Sequence, residues 1–233
     1  MNYKRILLKL SGESLAKESG FGIDFNKVLE ICQEIKEAKD KFNLELAIVI
    51  GGGNYWRGRS NTYMDKTDSD HIGMLATTMN AIVLKNAFSQ INVKAKIQSA
   101  IEMDRIVELY TKDKTIDYLK KGNIVIFSGG TNNPFFSTDT GATLRAAEIE
   151  ADTIIKATNV DGIYDKDPNK FNDSKLYSEL SYDEIIAKNL KVMDLTAITM
   201  CKDNNIPIIV FNNNIKGNLL KVLGNKNIGT IVK

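Results

Sequence analysis

Arg5-Ile6-Leu7-Leu8-Lys9-Leu10-Ser11-Gly12 decides the fold. A nearly continuous apolar run ends at a Ser-Gly pair. The same construction returns at residues 44–50 before Gly51-Gly52-Gly53, and at residues 124–128 before Gly129-Gly130. A strand buried on both faces reads as such a run, whereas a half-exposed strand alternates. Further short strands are predicted over residues 93–97, 153–157, 206–211 and 229–232. The intervening stretches carry helical spacing. Residues 25–42 place Val28, Leu29, Ile31, Cys32 and Ile35 on one side. Helices are also predicted over 71–88, 103–120, 138–150, 182–188, 195–204 and 216–223. Met74, Leu75 and Met79 read as a core stripe. Alternating strands and helices predict an α/β fold, a mainly parallel open sheet sandwiched by helices in three αβα layers.

No low-complexity run, internal repeat or Pro/Ser-rich linker interrupts the pattern, and only three prolines occur. One continuous domain over residues 1–233 is expected, with a soft division near residues 156–175. Lys and Arg number 31 against 29 Asp and Glu, a net charge of +2. That balance, with scattered basic residues, gives no sign of a nucleic-acid or membrane-binding surface. Cys32 and Cys201 lie far apart, outside any Cys-x-x-Cys, and His71 is the sole histidine. They read as reduced, buried thiols of a cytoplasmic protein, and His71 as no metal ligand. The apolar run after Met1-Asn2-Tyr3-Lys4-Arg5 breaks at Lys9, too short for a signal peptide or a membrane span.

Ligands of open parallel sheets collect beyond the carboxyl ends of the strands, and three glycine-rich segments fall there. They are Lys9-Leu10-Ser11-Gly12, then Gly51-Gly52-Gly53-Asn54 with Arg57-Gly58, then residues 129–139. Glycines let main-chain N–H groups crowd around an anion. Lys9 and Arg57 would add two cations suited to a triphosphate and its transition-state charge. One glycine cluster alone reads better as a tight turn. Three clusters with two cations favour phosphate binding. Asp139 either caps a helix or, if Thr138 is the cap, points into the cleft. Asp70 either caps the next helix or accepts from ribose hydroxyls. Tyr55 and Trp56 read as packing residues, and Phe135-Phe136 as a hydrophobic plug or a wall for a pyrimidine. The chain has no Gly-x4-Gly-Lys-Ser/Thr loop and no protein-kinase motif set, and it gives only weak support for a dinucleotide fingerprint.

Lys4-Arg5-Ile6-Leu7-Leu8-Lys9-Leu10-Ser11-Gly12-Glu13 resembles the opening of the bacterial uridylate kinases (UMP kinases) of the amino acid kinase family. So do Val49-Ile50-Gly51-Gly52-Gly53-Asn54 and Asp70-His71-Ile72-Gly73-Met74-Leu75-Ala76-Thr77. Residues 130–139, 156–168 and Lys191-Val192-Met193-Asp194-Leu195 are similar to later family segments, so the resemblance runs from about residue 3 to the C-terminus. It implies transfer of a phosphoryl group from Mg-ATP to UMP in pyrimidine nucleotide biosynthesis, by a cytoplasmic homohexamer. It implies catalytic roles for Lys9, Arg57, Asp139 and Asp194, the two aspartates orienting cations or Mg²⁺. ATP would meet Lys9, Leu10, Ser11, Gly12, Gly53 and Arg57, and also Thr158, Asn159, Tyr164 and Asp167. UMP would meet Gly52 and Asp70, then Thr131, Asn132, Asn133, Pro134, Phe135, Phe136, Ser137 and Thr138. Residues 1–155 would be mainly the UMP side and residues 156–233 the ATP side, with no fixed protein metal site.

One departure bears on regulation. Family members activated by GTP carry arginines and a histidine after the Met-rich helix. Here Lys85-Asn86-Ala87-Phe88-Ser89, Lys96 and Asn123 stand there, and lysine does not reproduce bidentate arginine geometry. GTP activation is therefore expected to be weak or absent. Two other readings remain. One is a kinase of the same fold acting on an acyl or amine substrate, against which the Asn132-Asn133-Pro134-Phe135-Phe136 loop argues. The other is a non-catalytic nucleotide binder, against which Lys9, Arg57, Asp139 and Asp194 argue.

Overall fold

The computed structural model describes residues 3–58, 63–224 and 226–233, so the Met1-Asn2 start of the opening segment lies outside it. The chain begins with β1 (Arg5–Leu10), α1 (Phe25–Phe42), β2 (Glu45–Ile50), α2 (Lys66–Gln90) and β3 (Ala95–Ser99). It continues with β4 (Glu108–Leu109), α3 (Lys112–Lys120), β5 (Ile124–Ser128), α4 (Thr138–Glu148) and β6 (Thr153–Thr158). A hairpin of β7 (Ile163–Tyr164) and β8 (Leu176–Tyr177) precedes β9 (Glu179–Leu180), α5 (Tyr182–Ala187) and α6 (Leu195–Asp203). β10 (Ile208–Asn212), α7 (Asn218–Leu223) and β11 (Thr230–Val232) finish the chain.

Among the described residues nine strands form one sheet, ordered β4-β3-β5-β2-β1-β6-β10-β11-β9. Every neighbouring pair is parallel except β10 with β11. The period of two along each strand splits the core between the two faces. Ile6, Leu8, Leu10, Leu46, Ile48 and Ile50 point toward α1 and α2, where Val28, Cys32, Ile35, Leu84 and Phe88 meet them. Leu7, Ala47, Val49 and Ile154 point to the other face, against Ala142, Ala146, Ile185 and Ile198 of α4, α5 and α6. This is the predicted three-layer αβα arrangement, and β1 lies at its centre with β2 on one side and β6 on the other. The chain reverses direction across the sheet there, which opens a crevice at the carboxyl ends. Among the described residues no helix is long and apolar enough to cross a membrane.

Several expectations need correction. α2 starts at Lys66 rather than near residue 71, because Asp65 caps it by accepting from Thr67 N and Asp68 N. Asp70 therefore sits inside the helix and is no cap. The expected helix over 103–120 is two pieces. Met103 and Val107 form an isolated antiparallel bridge, Glu108–Leu109 pairs with β3, and the helix begins only after Thr111. The apolar residues of that stretch serve strand packing, which mimics helical spacing over so short a window. The β7–β8 hairpin and β9, two residues each, were too short to register as periodic runs. The supposed core stripe is split. Met74 is buried, whereas Leu75 is 49% and Met79 48% exposed, with Ile82 following at 42%. These three recur at i, i+4 and i+7 on the outward side of α2.

Candidate active site

The glycine loops meet because their backbones touch. A Cβ on Gly12 would lie 2.6 Å from Asn54 Oδ1 and 2.7 Å from Gly51 O, so only glycine lets the first loop pass the second. A Cβ on Gly52 would sit 2.7 Å from Gly73 O and 2.9 Å from Ala76 Cβ, so α2 packs directly on the second loop. Two buried amides lock that contact. Asn80 Nδ2 donates to Gly51 O at 2.7 Å and to Asn54 Oδ1 at 2.7 Å. Asn54 Nδ2 reaches Gly22 O at 2.9 Å. One turn earlier, Thr77 Oγ1 accepts from Gly129 N at 2.8 Å and ties the third loop to the same helix. Asn80→Ala should therefore cost about 2–4 kcal/mol, because it strands the buried Gly51 carbonyl and Asn54 Oδ1. A denaturant titration measures this, and an unchanged midpoint would contradict the docking role.

The cleft so formed has a volume of about 460 Å³. Its lining contains Lys9, Gly52, Gly53, Arg57, Asp70, Phe136, Ser137, Thr138 and Asp139 of the residues expected from sequence. Gly130 of the third glycine loop lines it too, and Glu13, Trp56, Ser69, Gly73, Met74 and Thr77 line it without having been expected to. Trp56 is thus more than packing: it walls the cleft, with Nε1 donating to Ser69 Oγ at 3.0 Å. Tyr55 does pack, edge-on to Phe21. Arg57 lies at the rim, 2.8 Å from Glu13.

Ser137, not Thr138, caps α4, accepting from Asp139 N and Thr140 N. Asp139 occupies the first helical turn and faces inward between two ammonium groups. Lys156 Nζ donates to its Oδ2 at 2.7 Å. Lys9 Nζ lies 2.8 Å from Oδ1 as an ion pair, and an ammonium with three protons keeps others for the cleft that Lys9 lines. Burial alone would raise the Asp139 carboxyl, but Lys9 and Lys156 outweigh it and hold it at about 2. The carboxylate therefore stabilises the fold fully above its ordinary value of 3.8, and that contribution fades as pH falls through about 2. Melts of wild type and Asp139→Asn should converge as pH drops from about 4 to 2. A constant gap across that window would contradict the pairing.

Lys156 is the residue that sequence reading missed. It is a direct register partner of Lys9 across β1 and β6. The signal was present: Thr153-Ile154-Ile155-Lys156-Ala157 repeats the lone lysine of Ile6-Leu7-Leu8-Lys9-Leu10 in a buried strand. A buried lysine needs a partner, and two side by side need one carboxylate between them.

Other expected residues lie apart from the cleft walls. The Leu10 side chain is in the core, and Ser11 caps the 3₁₀ turn Gly12–Leu15. Thr131, Asn132, Asn133, Pro134 and Phe135 form a turn above the cleft that does not line it. Asn132 and Phe135 have φ of 63° and 73° there, and Phe135 N donates to Asp70 Oδ2 at 2.8 Å. Asp70, itself in the cleft lining, also takes Lys66 Nζ at 3.1 Å, so it anchors that loop at the edge of the cleft. Asp194 does not face the cleft. It caps α6 through Ala197 N at 3.0 Å and accepts from Thr140 Oγ1 at 2.9 Å and from Ser137 Oγ. Three neutral donors occupy it, so it holds the start of α4 in place.

A second cavity of about 500 Å³ opens on the β6 side. Thr158, Tyr164 and Asp167 line it together with Val160, Phe171 and Val192, but Asn159 does not. Tyr164 Oη donates to Asp161 Oδ2 at 3.4 Å. Lys156 joins the two cavities: the Nζ that holds Asp139 also donates to Val192 O at 2.5 Å. Among the described residues no group of three or more His, Cys, Asp or Glu is placed to hold a metal ion.

The sequence model of the amino acid kinase family matches residues 4–212, a span that contains both cavities. A UMP kinase from Bacillus anthracis is similar in structure with a TM-score of 0.96 and 33% identity, over 100% of this chain and 97% of that one. A UMP kinase from Ureaplasma parvum gives 0.93 and 36%, over 100% of each. A uridylate kinase from Archaeoglobus fulgidus gives 0.73 and 26%, over 98% and 99%. With its glycine loops and paired lysines inside the matched span, and with similarity end to end at a third identity, the chain belongs to the amino acid kinase family.

Proposed function

We propose that the chain is a UMP kinase, transferring the γ-phosphoryl group of ATP to the phosphate of UMP. The observation that carries this reading is the pair of adjoining cavities, one walled by Lys9, Arg57 and Asp139, the other by Thr158, Tyr164 and Val192, with Lys156 between. UMP would occupy the first and the adenosine of ATP the second, with the phosphates meeting at Lys9. Residues 1–155 would thus supply mainly the acceptor side and residues 156–233 the donor side. An oxygen of the UMP phosphate forms a bond to Pγ while the bond from Pγ to the ADP oxygen breaks. That oxygen is already anionic, so no general base is required, and the protein contributes alignment and charge neutralisation. Lys9 sits where the transferred group would gather charge, and Arg57 at the rim closes over the phosphates. Mg²⁺ would arrive on ATP, held by phosphate oxygens and water. Asp139 would act on the cations Lys9 and Lys156, and Asp194 would act through Ser137 and Thr140.

The exposed Leu75, Met79 and Ile82 stripe is surface that a neighbouring subunit of a homohexamer would cover. Two buried free thiols suit a cytoplasmic setting. GTP activation is weak or absent on this reading. The end of α2 offers no arginine, Lys96 lies 5.3 Å over the Tyr118 ring, and Asn123 Nδ2 is spent on Tyr118 O.

An ADP-release assay with ATP and UMP, CMP, dUMP or no acceptor tests the assignment. The expected result is a signal with UMP at least about tenfold above CMP, as hydrogen-bonded base recognition allows, and no response to micromolar GTP. Turnover independent of acceptor, or a several-fold rise with GTP, would contradict the corresponding part.

A further inference from the structure

Lys156 combines three properties that a merely structural lysine does not need together. Its side chain is 11% exposed, in the middle of a buried strand. Its strand register sets it directly beside Lys9, on the same face of the sheet. Its single ammonium bonds one wall of each cavity, Asp139 Oδ2 and Val192 O.

Two ammonium groups on adjacent strands repel unless a carboxylate lies between them, and Asp139 is that carboxylate. Its two oxygens are divided, one for each lysine. The division matters because it leaves Lys9 facing one carboxylate oxygen rather than two. Lys156 commits its ammonium to Oδ2 and to Val192 O, whereas Lys9 meets Oδ1 and keeps its remaining protons for the cleft it lines. Without Lys156 the carboxylate would be free to turn onto Lys9 with both oxygens and withdraw it from the cleft. The bond to Val192 O adds a second consequence. It fixes the segment before Asp194, which walls the other cavity, relative to Asp139.

We propose that Lys156 is a positioning residue for phosphoryl transfer: it pins Asp139 so that Lys9 stays available, and it holds the two nucleotide cavities in register. The inference rests on the UMP kinase reading. Burial pushes the Lys156 ammonium below the ordinary lysine range against the pull of Asp139, which fits a group held in place by its partners.

Lys156→Gln keeps a donor near Val192 O and removes the charge. It should lower kcat about a hundredfold, the scale of a misplaced catalytic group, and raise KM for ATP while KM for UMP stays within about threefold. Because Lys156 acts through Asp139, the double variant with Asp139→Asn should turn over no more slowly than Asp139→Asn alone. If Lys156→Gln melts below the assay temperature, Lys156→Met is measured in its place for kcat as a single variant, since it also loses the bond to Val192 O. Multiplying losses, or kcat within about twofold of wild type, would overturn the assignment, and so would failure of both variants to fold. A wild-type chain with no UMP-dependent turnover is a separate result. It overturns the functional reading before any variant is made, and this inference with it.

Discussion

Lys9→Met should lower turnover about a thousandfold and leave the chain folded. The side chain is 12% exposed, and its ammonium stands at the carboxyl end of the central strand. Methionine fills nearly the same volume, so little space opens in the sheet. Asp139 keeps Lys156 as a partner and is not left as an uncompensated buried charge. What disappears is a preorganised cation on the cleft wall, and such a group gains most as charge develops in the transition state. KM for UMP should move much less than kcat. Steady-state kinetics with UMP and ATP make the comparison. A loss below about tenfold would remove Lys9 from the mechanism.

Arg57→Ala should cut kcat/KM by about 10²–10³ while the melting temperature barely moves. The guanidinium is 59% exposed, and its partner Glu13 is 40% exposed. An ion pair that open contributes little to stability, about 0–1 kcal/mol at most. Its catalytic value comes later, when phosphate groups fill the cleft and replace Glu13 as its partner. Arg57→Lys should recover only part of the loss, because a point charge lacks the planar fork that grips two oxygens. Full activity in Arg57→Ala would show that the rim cation is not used.

The contrast between these residues shows what the sequence made legible. Apolar runs that stop at glycines located β1, β2 and β5, and α1 was bounded correctly because Asp24 caps it and Asn43 ends it in the left-handed region. Lys9, Arg57 and Asp139 stood out because charge beside a glycine loop is chemically pointed. Lys156 did not stand out, since its meaning depends on the pairing of β1 with β6, about 150 residues apart in the chain. Asp194 was read as a group for cations, and its charge does pull on Lys156, but the turn it caps and the two hydroxyls it accepts are set by the packing of α4 on α6 and were not legible. The outward side of α2 misled for a related reason. Leu75 and Met79 satisfy the apolar pattern of a core, but none of the described residues covers them. Two-residue strands such as β7 and β8 carry no periodicity to read.

Central to the account is a single place where donor and acceptor phosphates meet, beside Lys9 and between the two cavities. A crystal structure with UMP and a non-hydrolysable ATP analogue tests it most directly. The account predicts the uridine phosphate in the cleft of Gly52, Arg57 and Thr138, and adenine in the cavity of Thr158, Tyr164 and Asp167. The terminal phosphate should lie within hydrogen-bonding distance of Lys9 Nζ. Phosphates facing away from each other, or UMP seated in the adenine cavity, would contradict it.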